Sequence, residues 1–233
     1  MDYYRPGAER GAADFGWLHS KHTFSFGGYY DPKHMGFSVL RVINDDYVAA
    51  GAGFDTHGHR DMEIISYITE GAIEHRDSMG NHFVVPAGEV QRMTAGTGIT
   101  HSEFNASKSQ PLRFLQIWIK PKFTGLKPGY EQLKLAQTSA LTPLVTPDGH
   151  AGSLTIHQDA AIYRLRLAAG QEQVLTTAAR YGYLHLVRGS ALVDGRELQA
   201  GDGLGYSEAK TVSVSATRND FEALWFDLPA VPN

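Results

Sequence analysis

From Phe37 to Trp118 the chain reads almost without interruption as short β-rich runs. FSVLRVI, YVAAGAG, MEIISYI, AIEHRD, HFVVP, EVQRMTA, ITHSEF and LRFLQIWI follow one another, parted by Gly, Asn, Asp or Pro. No stretch in this half sustains a helical period for more than two turns. So many short strands, each obliged to bury a face against another sheet, leave a sandwich or a jelly roll as the available architectures. In the last run Leu112, Phe114 and Trp118 share one face, and Leu115, Ile117 and Ile119 share the other. A strand apolar on both sides predicts a barrel wall covered by a further layer.

The second half is a faded copy of the first. Tyr67-Ile-Thr-Glu-Gly71, Gly80 and Ala87-Gly88-Glu89 are echoed by Leu186-Val-Arg-Gly189, Gly195 and Ala200-Gly201-Asp202, with shorter hairpins between. Between the copies, residues 120–137 are rich in Pro, Lys and Gly and show no strand alternation, so they read as the connection, with Tyr130-Glu-Gln132 docking it. The expectation is an all-β chain of two tandem barrels, residues 1–132 and 133–233. Upstream, His22-Thr-Phe-Ser-Phe26 alternates as a strand does and reads as an N-terminal strand packed on a sheet.

Chemistry enters at Gly51-Ala-Gly-Phe-Asp-Thr-His57-Gly-His59, answered by Gly98-Ile-Thr-His101-Ser-Glu103. On strands, residues two apart point the same way, so His57 pairs with His59 and His101 with Glu103. Any one histidine is more often a surface or hydrogen-bonded core residue than a ligand. Two such pairs framed by glycines are another matter, because facing each other inside a barrel they make a four-ligand metal site. The chain has no cysteine, which excludes thiolate sites and disulfides. Three imidazoles and a carboxylate suit iron, manganese, cobalt, nickel or copper, and zinc also. Offsets from Gly71 that mark His57 and His59 land, counted from Gly189, on Leu175 and Thr177, and no His-x-Glu pair follows Gly201. The second barrel therefore lacks metal chemistry, and His185 reads as a core or interface histidine.

The spacing Gly51, His57, His59, Glu63 resembles the first motif of the cupin barrels, and Gly98 with His101 the core of their second. HTFSFGGYYDP, MGFSVLRVINDD, HGHRDMEIISYITEG, DSMGN and VPAGEVQRMTAGTGITHSE resemble the pirin family, over nearly all of residues 5–132 and more loosely beyond. The resemblance implies two cupin jelly-roll barrels, a bicupin, with one divalent transition metal, Fe(II) first among the candidates, in the first barrel. Cupins in general put the carboxylate at Glu63, whereas the pirin resemblance puts it at Glu103. We take Glu103, whose spacing from His101 needs no further assumption; Glu63, and Asp55 on the His57 face, are then expected to orient imidazoles.

Pirin-like bicupins are associated with oxidative ring opening of the flavonol quercetin by dioxygen, with release of carbon monoxide. On that reading Glu103 accepts the flavonol 3-hydroxyl proton, and Phe24, Phe26 and Phe54 are close enough in sequence to wall a planar ligand. The alternative is a metal-dependent redox regulator or transcriptional cofactor that binds a protein partner. A third reading is isomerase or decarboxylase chemistry, since cupins reuse one site for many reactions. A net charge of −4 supplies no electrostatic reason for direct nucleic-acid binding. Residues 1–20 carry Arg5, Glu9, Arg10 and Asp14 and no apolar run, so no signal peptide or membrane span is expected and the location is cytoplasmic by default. One complete donor set predicts one ion per chain. Elemental analysis of the saturated protein checks this, and two ions would mean that the second barrel has been misread.

Overall fold

The computed structural model describes residues 3–230. Its first half carries β1 (Tyr3–Arg5), β2 (Gly11–Asp14), β3 (Leu18–His22), β4 (Leu40–Val48), β5 (Gly53–His59), β6 (Glu63–Glu70), β7 (Ala72–Asp77), β8 (His82–Pro86), β9 (Glu89–Thr94), β10 (Ile99–Asn105), β11 (Leu112–Ile119) and β12 (Gly129–Lys134). The second half carries β13 (Leu141–Thr146), β14 (Leu154–Thr155), β15 (Ala161–Leu167), β16 (Glu172–Thr176), β17 (Tyr181–Arg188), β18 (Ser190–Val193), β19 (Arg196–Gln199), β20 (Gly203–Tyr206), β21 (Thr211–Ala216) and β22 (Phe221–Leu228). The helices among the described residues are two three-residue 3-10 turns, and no helix is long and apolar enough to cross a membrane.

Each half is a seven-stranded sheet facing a four-stranded one. The large sheets run β12-β9-β6-β11-β4-β3-β2 and β1-β20-β17-β22-β15-β13-β14, and the small ones β5-β10-β7-β8 and β16-β21-β18-β19. From β9 to β3 and from β20 to β13 the orders correspond strand for strand, so the echo in the sequence is a structural repeat. Its corners match as well. Gly71 and Gly189 take φ of 74° and 71°, and a Cβ on Gly71 would lie 2.5 Å from the Pro111 carbonyl oxygen, so glycine is required there for both conformation and space.

The barrels meet back to back across their large sheets. Leu115, Ile117 and Ile119 of β11 join Ile43, Ile65 and Phe24 in one buried cluster with Leu144, Ile162, Tyr183 and Phe226 of the second half, whereas Leu112 and Phe114 belong to a separate cluster of the first barrel. The layer that β11 required is the second barrel itself.

Four segments depart from the sequence reading, the first being residues 22–26, of which only His22 lies in a strand, as the last residue of β3. Within residues 120–137, Gly129–Lys134 forms a strand that pairs with β9 along its length, from Gly129 opposite Thr94 to Lys134 opposite Glu89. Its mixed polar composition hid it, because an edge strand half-open to solvent needs no apolar alternation. Tyr3–Arg5 pairs with β20 of the second half, occupying there the place that β12 takes beside β9. FSVLRVI also does not end at Ile43: β4 continues through Asn44, Asp45 and Asp46, with Asn44 and Asp46 buried. Residues that commonly mark a turn continue this strand because their side chains have a polar interior to enter.

His185 is buried in β17, and loss of solvent, followed by the Arg10 charge, lowers its pKa to about 3. Unfolded, it titrates near 6.5, so below that pH the unfolded chain holds the extra proton and stability falls as pH drops toward 3. The single-site contribution to the loss at pH 5 is about 2 kcal/mol. His185→Leu should therefore gain about 2 kcal/mol relative to wild type between pH 7.5 and pH 5. Urea unfolding at the two pH values measures the change in that gap; an unchanged gap contradicts the assignment.

Candidate metal centre

β5 and β10 run antiparallel with His57 opposite His101, and strand alternation brings His59 to the same face. The three ring centroids lie 4.5 Å (His57 to His101), 4.8 Å (His57 to His59) and 4.9 Å (His59 to His101) apart. One nitrogen from each ring lies within 4.8 Å of the others. The register shifts between His101 and Glu103, so that Glu103 faces Phe54. This bulge bends β5 beside the histidines, a common place for such an irregularity.

The electrostatics keep two of these rings, His59 and His101, unprotonated. Burial, then the neighbouring imidazoles of His101 and His57, lower the pKa of His59 to about 4. Burial, then His57 and His75, lower that of His101 to about 3. His57 Nδ1 donates to the Asp55 backbone carbonyl at 2.7 Å, which leaves Nε2 with its lone pair. Neither nitrogen of buried His101 has a hydrogen-bond partner. Imidazole nitrogens free of hydrogen-bond partners, gathered in one place, fit a divalent cation.

Glu103 is buried, and burial raises its pKa. Its Oε1 accepts from Gln91 Nε2 at 2.9 Å and from Ser66 Oγ at 3.3 Å; its Oε2 accepts from Gln116 Nε2 at 2.8 Å. Both amides are oriented in turn. Tyr130 Oη donates to Gln91 Oε1 at 2.9 Å, and the one Ser66 hydroxyl proton is shared between Glu103 Oε1 and Gln116 Oε1, which lies 3.0 Å from Ser66 Oγ. Among these contacts Oε2 has one donor, so it retains capacity for a cation or a substrate proton. Glu103 forms a second donor group with His101 and His75, their ligand atoms again within 4.8 Å, and His101 is common to both groups.

These polar side chains form a row. His22 of β3 lies opposite Asn44 of β4, Asn44 opposite Gln116 of β11, Gln116 opposite Ser66 of β6, Ser66 opposite Gln91 of β9, and Gln91 opposite Gln132 of β12. Six adjacent strands thus contribute one polar residue each. In the second barrel the corresponding row is Tyr163, Trp225, Leu184, Leu204 and Tyr4. The facing small sheets differ likewise. The pairs His57–His101 and His75–Glu103 are replaced by Leu175–Val212 and Val193–Val214.

Several residues sit elsewhere than expected. Glu63 faces away from the histidines: its Oε2 accepts from Thr94 Oγ1 at 3.0 Å, its Oε1 lies 3.1 Å from His157 Nδ1 of the second half, and the Arg92 guanidinium stands 4.0 Å away. It joins the barrels through His157 rather than orienting the imidazoles of His57, His59 or His101. Asp55 acts through its carbonyl rather than its carboxylate. Phe24 is buried in the core between the barrels, while Phe26 and Phe54 line a cavity of about 320 Å³ together with His57, His59, Glu103 and Trp118. His22 lines it too, so the segment 22–26 does more than pack.

The sequence reading missed His75 and Asp46. Buried His75 has Nε2 3.0 Å from Asp77 Oδ2, and its ring packs on Tyr130 at 4.6 Å. The signal was present, since His75 and Asp77 are a third pair at spacing i, i+2, but AIEHRD read as an ordinary strand. Asp46 lines the cavity with its pKa raised to about 7, chiefly by burial, against a hydrogen bond from Ser20.

Two cupin barrels, one furnished with a polar metal-type donor set and one filled with hydrocarbon, define the protein as a bicupin with a single candidate centre among the described residues. The sequence pattern of the pirin family matches residues 5–119, and that of the quercetinase C-terminal cupin domain matches residues 143–228. A protein of Escherichia coli K12 named quercetin 2,3-dioxygenase is 48% identical over 232 residues, 99% of this chain and 100% of that one. A putative quercetin 2,3-dioxygenase of Pasteurella multocida is 43% identical over 91% of this chain and 92% of its own. The crystal structure of the bacterial pirin YhhW from Escherichia coli in complex with nickel(II) superposes with a TM-score of 0.95 at 47% identity, covering 99% of this chain and 100% of that one. The chain belongs to the pirin family.

The two glutamates should separate cleanly on substitution. Glu103→Ala is expected to lose metal outright, and Gln116→Leu, which only orients Glu103, to weaken metal binding about 10- to 100-fold. Glu63→Ala should retain metal but lose roughly 2–3 kcal/mol of stability, because a buried charged hydrogen-bond group is removed. Elemental analysis after dialysis against chelator, paired with urea unfolding, measures both. Metal loss from Glu63→Ala with retention by Glu103→Ala would exchange their roles.

Proposed function

We propose that the protein is a metal-dependent dioxygenase that opens the ring of flavonols such as quercetin with O2 and releases carbon monoxide. The observation that carries this reading is the joining of a three-histidine cluster and an oriented, buried carboxylate to an apolar-walled cavity large enough for a planar ligand. Relatives named for this activity that match nearly the whole chain support it.

In this reading His57, His59, His101 and Glu103 hold one divalent ion, and we take Fe(II) as the native one; imidazole and carboxylate donors also admit Mn, Co, Ni, Cu and Zn. The ion, when bound, supplies Lewis-acid and redox chemistry toward the flavonol and dioxygen. The remaining work belongs to the chain. Glu103 Oε2 accepts the flavonol 3-hydroxyl proton, and burial, which raises the pKa of this carboxyl, makes it the stronger base. Gln91, Ser66 and Gln116 hold the carboxylate in one orientation, so it does not have to reorganise when the proton arrives. Phe26, Phe54 and Trp118 present aromatic surface to the planar rings and exclude water from them.

Purified protein loaded with iron should consume dioxygen in the presence of quercetin, and His101→Ala should do so no faster than buffer. An oxygen electrode with each metal form in turn decides it. If no metal form shows flavonol-dependent uptake, while the oxidation state of the metal changes binding to a protein partner, the chain is a redox regulator and not this enzyme.

A further inference from the structure

The polar row continues along the cavity wall past the carboxylate it serves. Gln91, Ser66 and Gln116 are occupied with Glu103. Beyond Gln116 the next two strands present Asn44 and His22, and one alternation further along β4 comes Asp46, opposite Ser20. Asn44, His22 and Asp46 are buried and all three line the cavity. Nothing in the proton transfer or the donor set described above uses them.

Their hydrogen-bonding capacity is only partly consumed. His22 Nδ1 lies 2.8 Å from Asn44 Oδ1, so the ring nitrogen is the donor, and Nε2 is left as an acceptor. Burial lowers the pKa of His22, which keeps that lone pair at neutral pH. With its oxygen engaged, Asn44 keeps amide N–H donors. The carboxyl of Asp46, titrating near 7, offers an O–H or an acceptor oxygen, with Ser20 its hydrogen-bonding neighbour. The rest of this cavity is largely hydrocarbon and aromatic, with Phe15, Leu18 and Phe26 among its walls. A buried polar strip in such a wall is stable only if its capacity is met by water or by a ligand with matching groups. Phenolic hydroxyls, each both donor and acceptor on a rigid flat ring, match it.

We infer that His22, Asn44 and Asp46 form a hydroxyl-reading strip that selects polyhydroxylated flavonols over the bare ring system, by binding phenolic hydroxyls other than the 3-hydroxyl. This rests on the flavonol reading of the site and adds its specificity. Asp46 is also near enough to Glu103 for the two carboxyls to feel each other's charge, so strip and proton acceptor share one chamber. A substrate lacking the outer hydroxyls leaves the strip desolvated without partners. Sites built this way discriminate strongly against such analogues.

The test compares quercetin with 3-hydroxyflavone, which keeps the 3-hydroxyl and its carbonyl neighbour but has no other hydroxyl. Binding is read without turnover, by quenching of tryptophan fluorescence in the metal-loaded protein under anaerobic conditions, with Trp118 in the cavity wall as the reporter. Wild type should prefer quercetin by about tenfold or more, the usual worth of one well-made hydrogen bond to a polar substrate group. Asn44→Leu and Asp46→Leu should each shrink that preference several-fold, and Asp46→Asn, which keeps hydrogen-bonding atoms in the same place, should restore most of it. The ratio of kcat/KM for the two flavonols should move in parallel. Metal content and thermal unfolding confirm that each variant is folded; if a leucine variant is not, Asn44→Ala and His22→Phe take its place. Equal binding of the two flavonols by wild type, or an unaltered preference in folded variants, overturns the strip and leaves the dioxygenase reading intact. Failure of wild type to bind either flavonol removes the flavonol reading, and the strip with it.

Discussion

The first barrel depends on keeping one carboxylate inside a protein. A buried ionised carboxyl with no partners costs several kcal/mol and would sooner take up a proton. Glu103 accepts from two amides and a hydroxyl, and these are held by Tyr130 and by one another. The requirement propagates outward. Gln91, Ser66 and Gln116, which satisfy Glu103, sit on adjacent strands of the large sheet, and the same row of registered positions ends at the cavity wall with Asn44 and His22. Such a network stands only when it is complete.

The second barrel shows what the same topology does without that carboxylate. At the matching row stand Tyr163, Trp225, Leu184, Leu204 and Tyr4, which pack with Leu175, Val212 and Val214 into a hydrocarbon core. A closed barrel must be filled, and apolar side chains fill it with no demand on their neighbours. The polar filling of the first barrel leaves a cavity beside the histidines. The second barrel contributes a back wall: its large sheet covers β11, and His157, in the loop after β14, lies against Glu63. The division of labour is one chemical barrel braced by one structural barrel.

Much of this was legible in the residues. Strand alternation is strict, so His57 with His59, and His101 with Glu103, had to share faces, and the glycine echo had to mean a repeated corner. Other features were hidden for physical reasons. Asn44 and Asp46 carry the composition of a turn, and only a polar interior makes them strand residues. Glu63 follows the histidines at a ligand-like spacing, yet the turn at Arg60, Asp61 and Met62 leads it into the opposite sheet, where it faces the other barrel. His75 and Asp77 had the right spacing on a strand that gave no reason to look.

By itself the sequence determined what depends on neighbours along the chain. That includes the strands, the matched corners, the pairing of donors at spacing i, i+2, the absence of donors from the second copy and the membership of the pirin family that its motifs carry. Tertiary structure decided what depends on which strands lie side by side. It placed His75 against His101 and Glu103, aligned six distant residues into one row, turned Glu63 toward the second barrel, and carried β1 across to pair with β20. The physical reason is that side-chain direction is set by the local backbone, whereas contact is set by register between segments far apart in the chain, which no local pattern specifies.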